Sequence, residues 1–460
     1  MDRFALSFPK AALKTLLAMA LLAGAGAGLA VSDADRIQAY KDFRSVFDAR
    51  KYAEALPLAE KLVTLTEQQL GPEDKALINP LTNLGTVNLR LANYDPAEAA
   101  FKRALSIAEA TATAGADPAL ILPLHGLGEV LLATRRYDAA IVALDRAVAL
   151  TRNLKGLYDV SQLAILPSLI ECYSAIQNYA LAEQQQQYAF RVAETAYGRD
   201  DKRLLGPLDR YARWYEFMGR YTTARVLHAR GLQIAEKDGG QTSLLAVRPL
   251  RGLARTYRLE YIYGPEEITT DPSQPADAPG SNLTAGRLNP DGEKALQIAI
   301  ATLNKQQPDG HQELGETLVD LGDWYLIAGA ASRSNDAYRL AWKQLNMAGA
   351  ANQVEVPKAL AYRATASSTL RLRPDKPEDY DTRTVETRLT IDAEGRVREA
   401  VSTASDAPEA SVKAVLAALK RARYRPRIDA TGAVETKDLP YTEKVYVRKP
   451  AAAAPAEKKS

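Results

Sequence analysis

A tyrosine stands at Tyr52, Tyr94, Tyr137, Tyr179 and Tyr221, and an alanine follows each after three residues: Ala55, Ala97, Ala140, Ala182 and Ala224. The steps between the tyrosines are 42, 43, 42 and 42 residues. A single globular core imposes no such period, whereas stacked copies of one supersecondary unit do. A second series, Leu84, Leu127, Leu169, Tyr211 and Leu253, keeps the same period, and four of its members precede a small residue, Gly85, Gly128, Ala212 or Ala254, with Ile170 the exception. Small residues let two helices approach closely, and a tyrosine in the turn closes the pair. Each unit therefore reads as a hairpin of two amphipathic helices that buries its apolar face only by stacking on its neighbours.

Leu84-Gly85, Tyr94, Ala97, Phe101 and Ala104 together resemble the tetratricopeptide repeat. That family repeats every 34 or so residues, so a period near 42 leaves about eight more, about two helical turns, as in its long-helix variants. The resemblance implies a mainly α fold, an α-solenoid superhelix whose first helices line a concave groove, and protein or peptide partners.

The chain has 460 residues, 25% of them charged and 47% hydrophobic, which argues against wholesale disorder. A net charge of +3 leaves no general nucleic-acid footprint. Cys172 is the one cysteine, so no intramolecular disulfide can form. Arg3, Lys10 and Lys14 lead into an apolar run from Thr15 to Leu22 and then into small residues that offer cleavage after Ala27 or Ala30. Residues 1–30 are read as a secretory signal and the chain as periplasmic. Left uncleaved, residues 15–31 would anchor it in the inner membrane, the only case in which membrane contact is expected.

Repeats one to five run from Asp33 to about Gly240, several opened by a proline: Pro80, Pro123, Pro207 and Pro249. Proline suits a first helical turn, whose N–H groups lack an intrahelical acceptor. Pro167 sits closer to its tyrosine, so repeat four is expected to begin differently. Repeat six has a first helix over Leu244–Leu259, and then Pro265, Pro272, Pro275, Pro279 and Pro290 interrupt it. Leu321-Gly322 comes 68 residues after Leu253, one repeat plus about 26 inserted residues. The displaced second helix is expected over Glu293–Lys305, and in repeat seven Ala331 replaces the tyrosine. Asn282-Leu283-Thr284 matches a glycosylation sequon, a weak three-residue signal.

From Thr384 the period changes to two. Val385, Thr387, Leu389 and Ile391 alternate with polar residues, a turn follows at Asp392–Gly395, and Val397–Val401 alternates again, predicting a β-hairpin. Asp406 is expected to cap a helix through Val412, Val415, Leu416 and Leu419, and Val445 and Val447 to lie in a last strand. This ββαβ pattern, with Thr390–Val397, Val415–Leu419 and Ala422-Arg423-Tyr424-Arg425-Pro426, resembles the C-terminal domain of TonB-type energy transducers. Gly395, Arg423, Tyr424 and Pro426 carry the motif. The resemblance implies a small α+β domain that contacts outer-membrane receptors. Its last strand could also accept a peptide by edge pairing, with Lys444, Arg448 and Lys449 supplying positive charge; charged edges equally oppose such pairing.

No catalytic constellation is recognisable. His125, His228 and His311 are isolated, with no partner at metal-ligand spacing, and neither a phosphate loop nor a nucleophile elbow occurs. His228 reads as structural and Cys172 as a small buried hydrophobe. No cofactor, no metal and no enzymatic activity is expected. Arg248, Arg251, Arg255 and Arg258 stack along one helix face at spacings of three, four and three. Such a stripe suits a clamp for an acidic segment or a C-terminal carboxylate; alternatively, neighbouring acids such as Glu260, Glu216 and Asp209 neutralise it.

The expected organisation is a signal at 1–30, repeats over 31–349 with an insertion at about 263–291, a linker at 350–383 with one short helix or strand near Leu360, the TonB-like domain at 384–449 and a disordered tail at 450–460. The expected function is an exported interaction scaffold of the bacterial cell envelope, the alternative an atypical energy transducer contacting outer-membrane transporters.

Overall fold

The computed structural model describes residues 32–112, 117–240, 242–264, 288–306, 309–361 and 380–449. The signal at 1–30, the sequon at Asn282, most of the insertion and the tail at 450–460 lie outside the described residues. The chain divides into two compact units, one ending at Lys155 and the other beginning at Gly156.

Three helical hairpins make up the described part of the first unit: α1 (Asp33–Asp48) with α2 (Tyr52–Leu70), α3 (Ile78–Arg90) with α4 (Tyr94–Thr111), and α5 (Ile121–Ala133) with α6 (Tyr137–Lys155). The second unit continues with α7 (Leu166–Ala175) and α8 (Tyr179–Tyr197), α9 (Leu205–Phe217) and α10 (Tyr221–Gly239), α11 (Val247–Tyr263) and α12 (Pro290–Gln306), and α13 (His311–Ile327) and α14 (Ala331–Met347). Every periodic tyrosine opens the second helix of its pair, and the alanine three residues on is fully buried at all five positions. The fold is thus a tetratricopeptide-like α-solenoid followed by a small strand-containing domain.

The extra length per repeat has two sources. Second helices α2, α4, α6, α8 and α10 span 18 or 19 residues, against 13 for first helices α3, α5 and α9. In addition, a 3-10 turn precedes each first helix from α3 to α11. It is capped in succession by Asp74, Asp117, Asp159, Asp201 and Ser243, whose side-chain oxygens accept from the N–H two residues on. Such caps satisfy donors that the helix start leaves open. Pro80, Pro123, Pro207 and Pro249 occupy the third position of their helices, whereas Pro167 is second in α7, which has only 10 residues. Repeat four does begin differently.

One position in each second helix sets the spacing between neighbours. Phe101 in α4 lies against Gly85 and Gly126, so close that a Cβ on Gly126 would fall 2.2 Å from its ring. The equivalent residues are Leu144, Gln186 and His228, all buried, and Tyr338 fills the corresponding place in the last repeat against Gly322. The site is apolar at Phe101 and Leu144 and polar at Gln186, His228 and Tyr338.

After α14 come β1 (Lys358–Ala361), β2 (Tyr380–Ile391), β3 (Val397–Ser405), α15 (Glu409–Arg421), β4 (Arg423–Arg425), β5 (Arg427–Asp429), β6 (Gly432–Val434) and β7 (Thr436–Arg448). β2, β3 and β7 form an antiparallel sheet in the order β3-β2-β7, β1 pairs with β4, and β5 pairs with β6. Val385, Leu389, Ile391, Val415, Leu419, Tyr424 and Val445 make the core of this domain. The strand at Lys358–Ala361 lies within the segment read as a linker, and β2 starts at Tyr380, four residues before Thr384. Asp406 does not cap α15. Its carboxylate accepts instead from the Thr384 N–H and hydroxyl at 2.5 and 3.1 Å, because β2 passes beside it, and α15 starts from Pro408 with no side-chain cap.

Candidate functional site

In the second unit, first helices α9, α11 and α13 lie side by side, and the arginine stripe is on the middle one. Its four members have different fates. Arg251 donates through Nε to Asp320 at 2.7 Å and through a terminal nitrogen to Glu316 at 3.1 Å. Arg255 holds both oxygens of Glu216, at 2.6 and 3.0 Å, and Arg258 reaches Asp323 at 3.2 Å. Arg248 is exposed and, among the described residues, has no carboxylate partner.

The stripe is consequently not an open row of four cations, since three of them tie α11 to its neighbours. The reason is register: Glu316, Asp320 and Asp323 on α13 recur at four and three residues, the helical period that the arginines follow. Of the neutralising acids anticipated, only Glu216 serves the stripe. Glu260 pairs with Arg225 at 2.8 and 2.9 Å, and Asp209 with Arg213 at 3.0 Å. The α13 carboxylates were missed from the sequence, although their spacing of four and three is a signal that could have found them.

Glu216 is also bonded to His228, whose Nε2 lies 2.8 Å away on α10. Burial would raise the Glu216 carboxyl, but the His228 bond and the Arg255 charge outweigh it and hold it below the usual carboxylate range. His228 is 2% exposed and packs on Gly252, the structural role expected of it. Cys172 is fully buried, and burial pushes its thiol up to about 11.

A cavity of about 690 Å³ opens at the start of the stripe, lined by Arg213, Arg248, Arg251 and Arg255 on one side and by His311, Glu313, Glu316 and Met347 on the other. Arginine forks with acids on the facing wall suit the main chain and charged side groups of a peptide. No group of three or more metal-ligating side chains is found among the described residues, and no described helix is long and apolar enough to cross a membrane.

Gly395, Arg423, Tyr424 and Pro426, the residues behind the TonB resemblance, lie together in the C-terminal domain. Gly395 has φ +70°, and a Cβ there would fall 1.9 Å from the Tyr424 carbonyl oxygen, so the hairpin turn requires glycine both for its backbone and for its space. The Tyr424 N–H donates to the Gly395 carbonyl at 2.9 Å, Pro426 is buried, and Arg423 is half-buried beside Arg396. Burial pushes the Tyr424 hydroxyl up to about 12. The four residues join the hairpin to β4. Arg425, not singled out from the sequence, reaches into the repeats: it donates to both oxygens of Asp323, at 2.7 and 2.5 Å.

Residues 45–110 match the model of the tetratricopeptide repeat family. The tetratricopeptide resemblance holds for the helical hairpins within those residues. The apo form of RapI is similar at 11% identity, over 68% of this chain and 99% of its own, with a TM-score of 0.43. The C-terminal part of a TPR repeat-containing protein from Cytophaga hutchinsonii is 16% identical over 67% and 95%, with a TM-score of 0.40. Aspartyl phosphate phosphatase F from Bacillus subtilis is 13% identical over 69% and 76%, with a TM-score of 0.42. Likenesses at this level carry no argument about what this chain does. A comparison with curated proteins finds no match.

Proposed function

We propose that this chain is an exported scaffold of the bacterial cell envelope that holds an acidic peptide segment or a C-terminal carboxylate at the cavity beside α11. It works by binding, without catalysis. The observation that supports this reading is Arg248, a cation exposed at a cavity whose other arginines already have acids. A fluorescent peptide ending in two glutamates and a free carboxylate is a suitable probe. Arg248→Glu is expected to weaken its capture about tenfold or more, the effect of about 1.4 kcal/mol, and to leave the thermal midpoint unchanged. Equal affinity in the variant would sink the reading. Export rests on the residues before Val31; a mature N-terminus at Gly28 or Val31, found by sequencing protein from the cell envelope, would support it.

A second reading concerns β7. It pairs with β2 along one edge, and no other strand of the described sheet covers its opposite edge. That observation favours a TonB-like domain that takes up an extended segment of an outer-membrane receptor by strand addition. Cross-linking from Lys444→Cys in intact cells would separate the readings, because the scaffold reading requires no outer-membrane adduct.

A further inference from the structure

The C-terminal domain meets the repeats through two sets of contacts. In one, Ile428 of β5 is fully buried in the cluster that holds Leu314, Leu318, Tyr338 and Leu345 of the last hairpin, and the Ala433 N–H donates to the Asn335 side chain at 2.8 Å. In the other, the fully buried Asp323 receives Arg425 from β4, Arg258 from α11 and the Tyr338 hydroxyl at 2.9 Å. A terminal repeat in a solenoid has an apolar face with no further repeat to cover it.

We infer that the C-terminal domain is the built-in cap of the solenoid, latched onto the last repeat by Arg425 in the buried Asp323 site. The domain does not swing as a tethered arm. An ionised carboxylate in the interior must be paired, and Arg258 by itself leaves one of its oxygens without a guanidinium. Arg425 satisfies that oxygen only while β4 is docked, so leaving the dock strips the carboxylate of a charged partner, and the whole domain follows. Because Arg258 and Arg251 share α11, the latch and the candidate cavity are built on one helix. This inference is independent of what the cavity binds.

The test uses the full chain with Cys172→Ser and spin labels at Lys343→Cys in α14 and Lys444→Cys in β7. Both lysines are exposed. A single narrow distance peak is expected, and Arg425→Met is expected to lose it in favour of a broad distribution. That variant leaves Asp323 paired with Arg258. Hydrogen exchange reads the same change: the Ala433 amide should lose protection in Arg425→Met while amides of α9 keep theirs. A broad distribution in the unsubstituted latch, or an unchanged peak and unchanged Ala433 protection in Arg425→Met, would overturn the inference.

Discussion

Arg425 and Asp323 are 102 residues apart in sequence and joined by two charge-assisted hydrogen bonds in a site that leaves the carboxylate no exposure. Burial would raise that carboxyl, yet Arg425, Arg258 and the Tyr338 hydroxyl hold it below its ordinary range, while burial and the neighbouring carboxylate push Tyr338 well above its own. Breaking a buried pair from one side costs about 3–5 kcal/mol, because the stranded charge stays in the interior. Asp323→Ala strands two guanidiniums and is expected to lose that much in urea unfolding. Asp323→Leu with Arg425→Met should cost less than the sum of the two single changes, and additivity would argue against a direct pair.

Acid should weaken the protein in a defined window. Asp323 and Glu216 have folded values below those of an unfolded chain, and Glu98 is held down to about 2 by hydrogen bonds from Arg136 and Lys102. A lowered carboxyl favours the folded state above its unfolded value, about 4, and loses that contribution as pH falls through the folded value. Urea midpoints are therefore expected to be flat from pH 7 to 5 and to fall between about 4 and 2.

The arginines of α11 should separate by what they leave behind. Arg255→Ala abandons Glu216, whose side chain is 8% exposed, whereas Arg251→Ala abandons Glu316 and Asp320, at 35% and 24%. Water can take over the second pair but not the first. The loss of thermal midpoint is expected to be larger for Arg255→Ala, and the opposite order would contradict the pairing.

Phe101 and Gly126 test the packing of the first unit. Gly126→Ala places a methyl into the ring and is expected to cost about 1–3 kcal/mol. Phe101→Ala removes the ring and is expected to cost about 3–5 kcal/mol. In the double variant the methyl enters the vacated space, so calorimetry should find less than the sum.

The repeat was legible because its constraint is local and recurs: Tyr94 must open a helix and Ala97 must fit beneath a neighbour, whatever else surrounds them. Phe101 and Ala104 belong to the same grammar, and so do the caps at Asp74, Asp117, Asp159 and Asp201, a series as regular as the tyrosines and available to the same count. The arginine stripe was legible as a helix face but not in its use. Whether Arg258 meets solvent or Asp323 depends on how α11 and α13 are set side by side, a relation between residues 65 apart. Arg425 shows the limit most plainly. Its motif fixes the strand, while its partner is set by the docking of one domain on another.

The position held by Phe101 and Leu144 in the first unit, and by Gln186 and His228 in the second, bears on how such an array can be rearranged. An apolar residue there accepts any neighbour of suitable shape. His228 finds Glu216 within its own hairpin, and that buried carboxylate accepts only a following repeat that brings a guanidinium where Arg255 stands. Units from the first half could be duplicated or exchanged with little penalty, whereas the hairpin of α9 and α10, moved away from α11, would arrive with the buried Glu216 carboxylate and no guanidinium. Recombination is tolerated at one end of the chain and policed at the other.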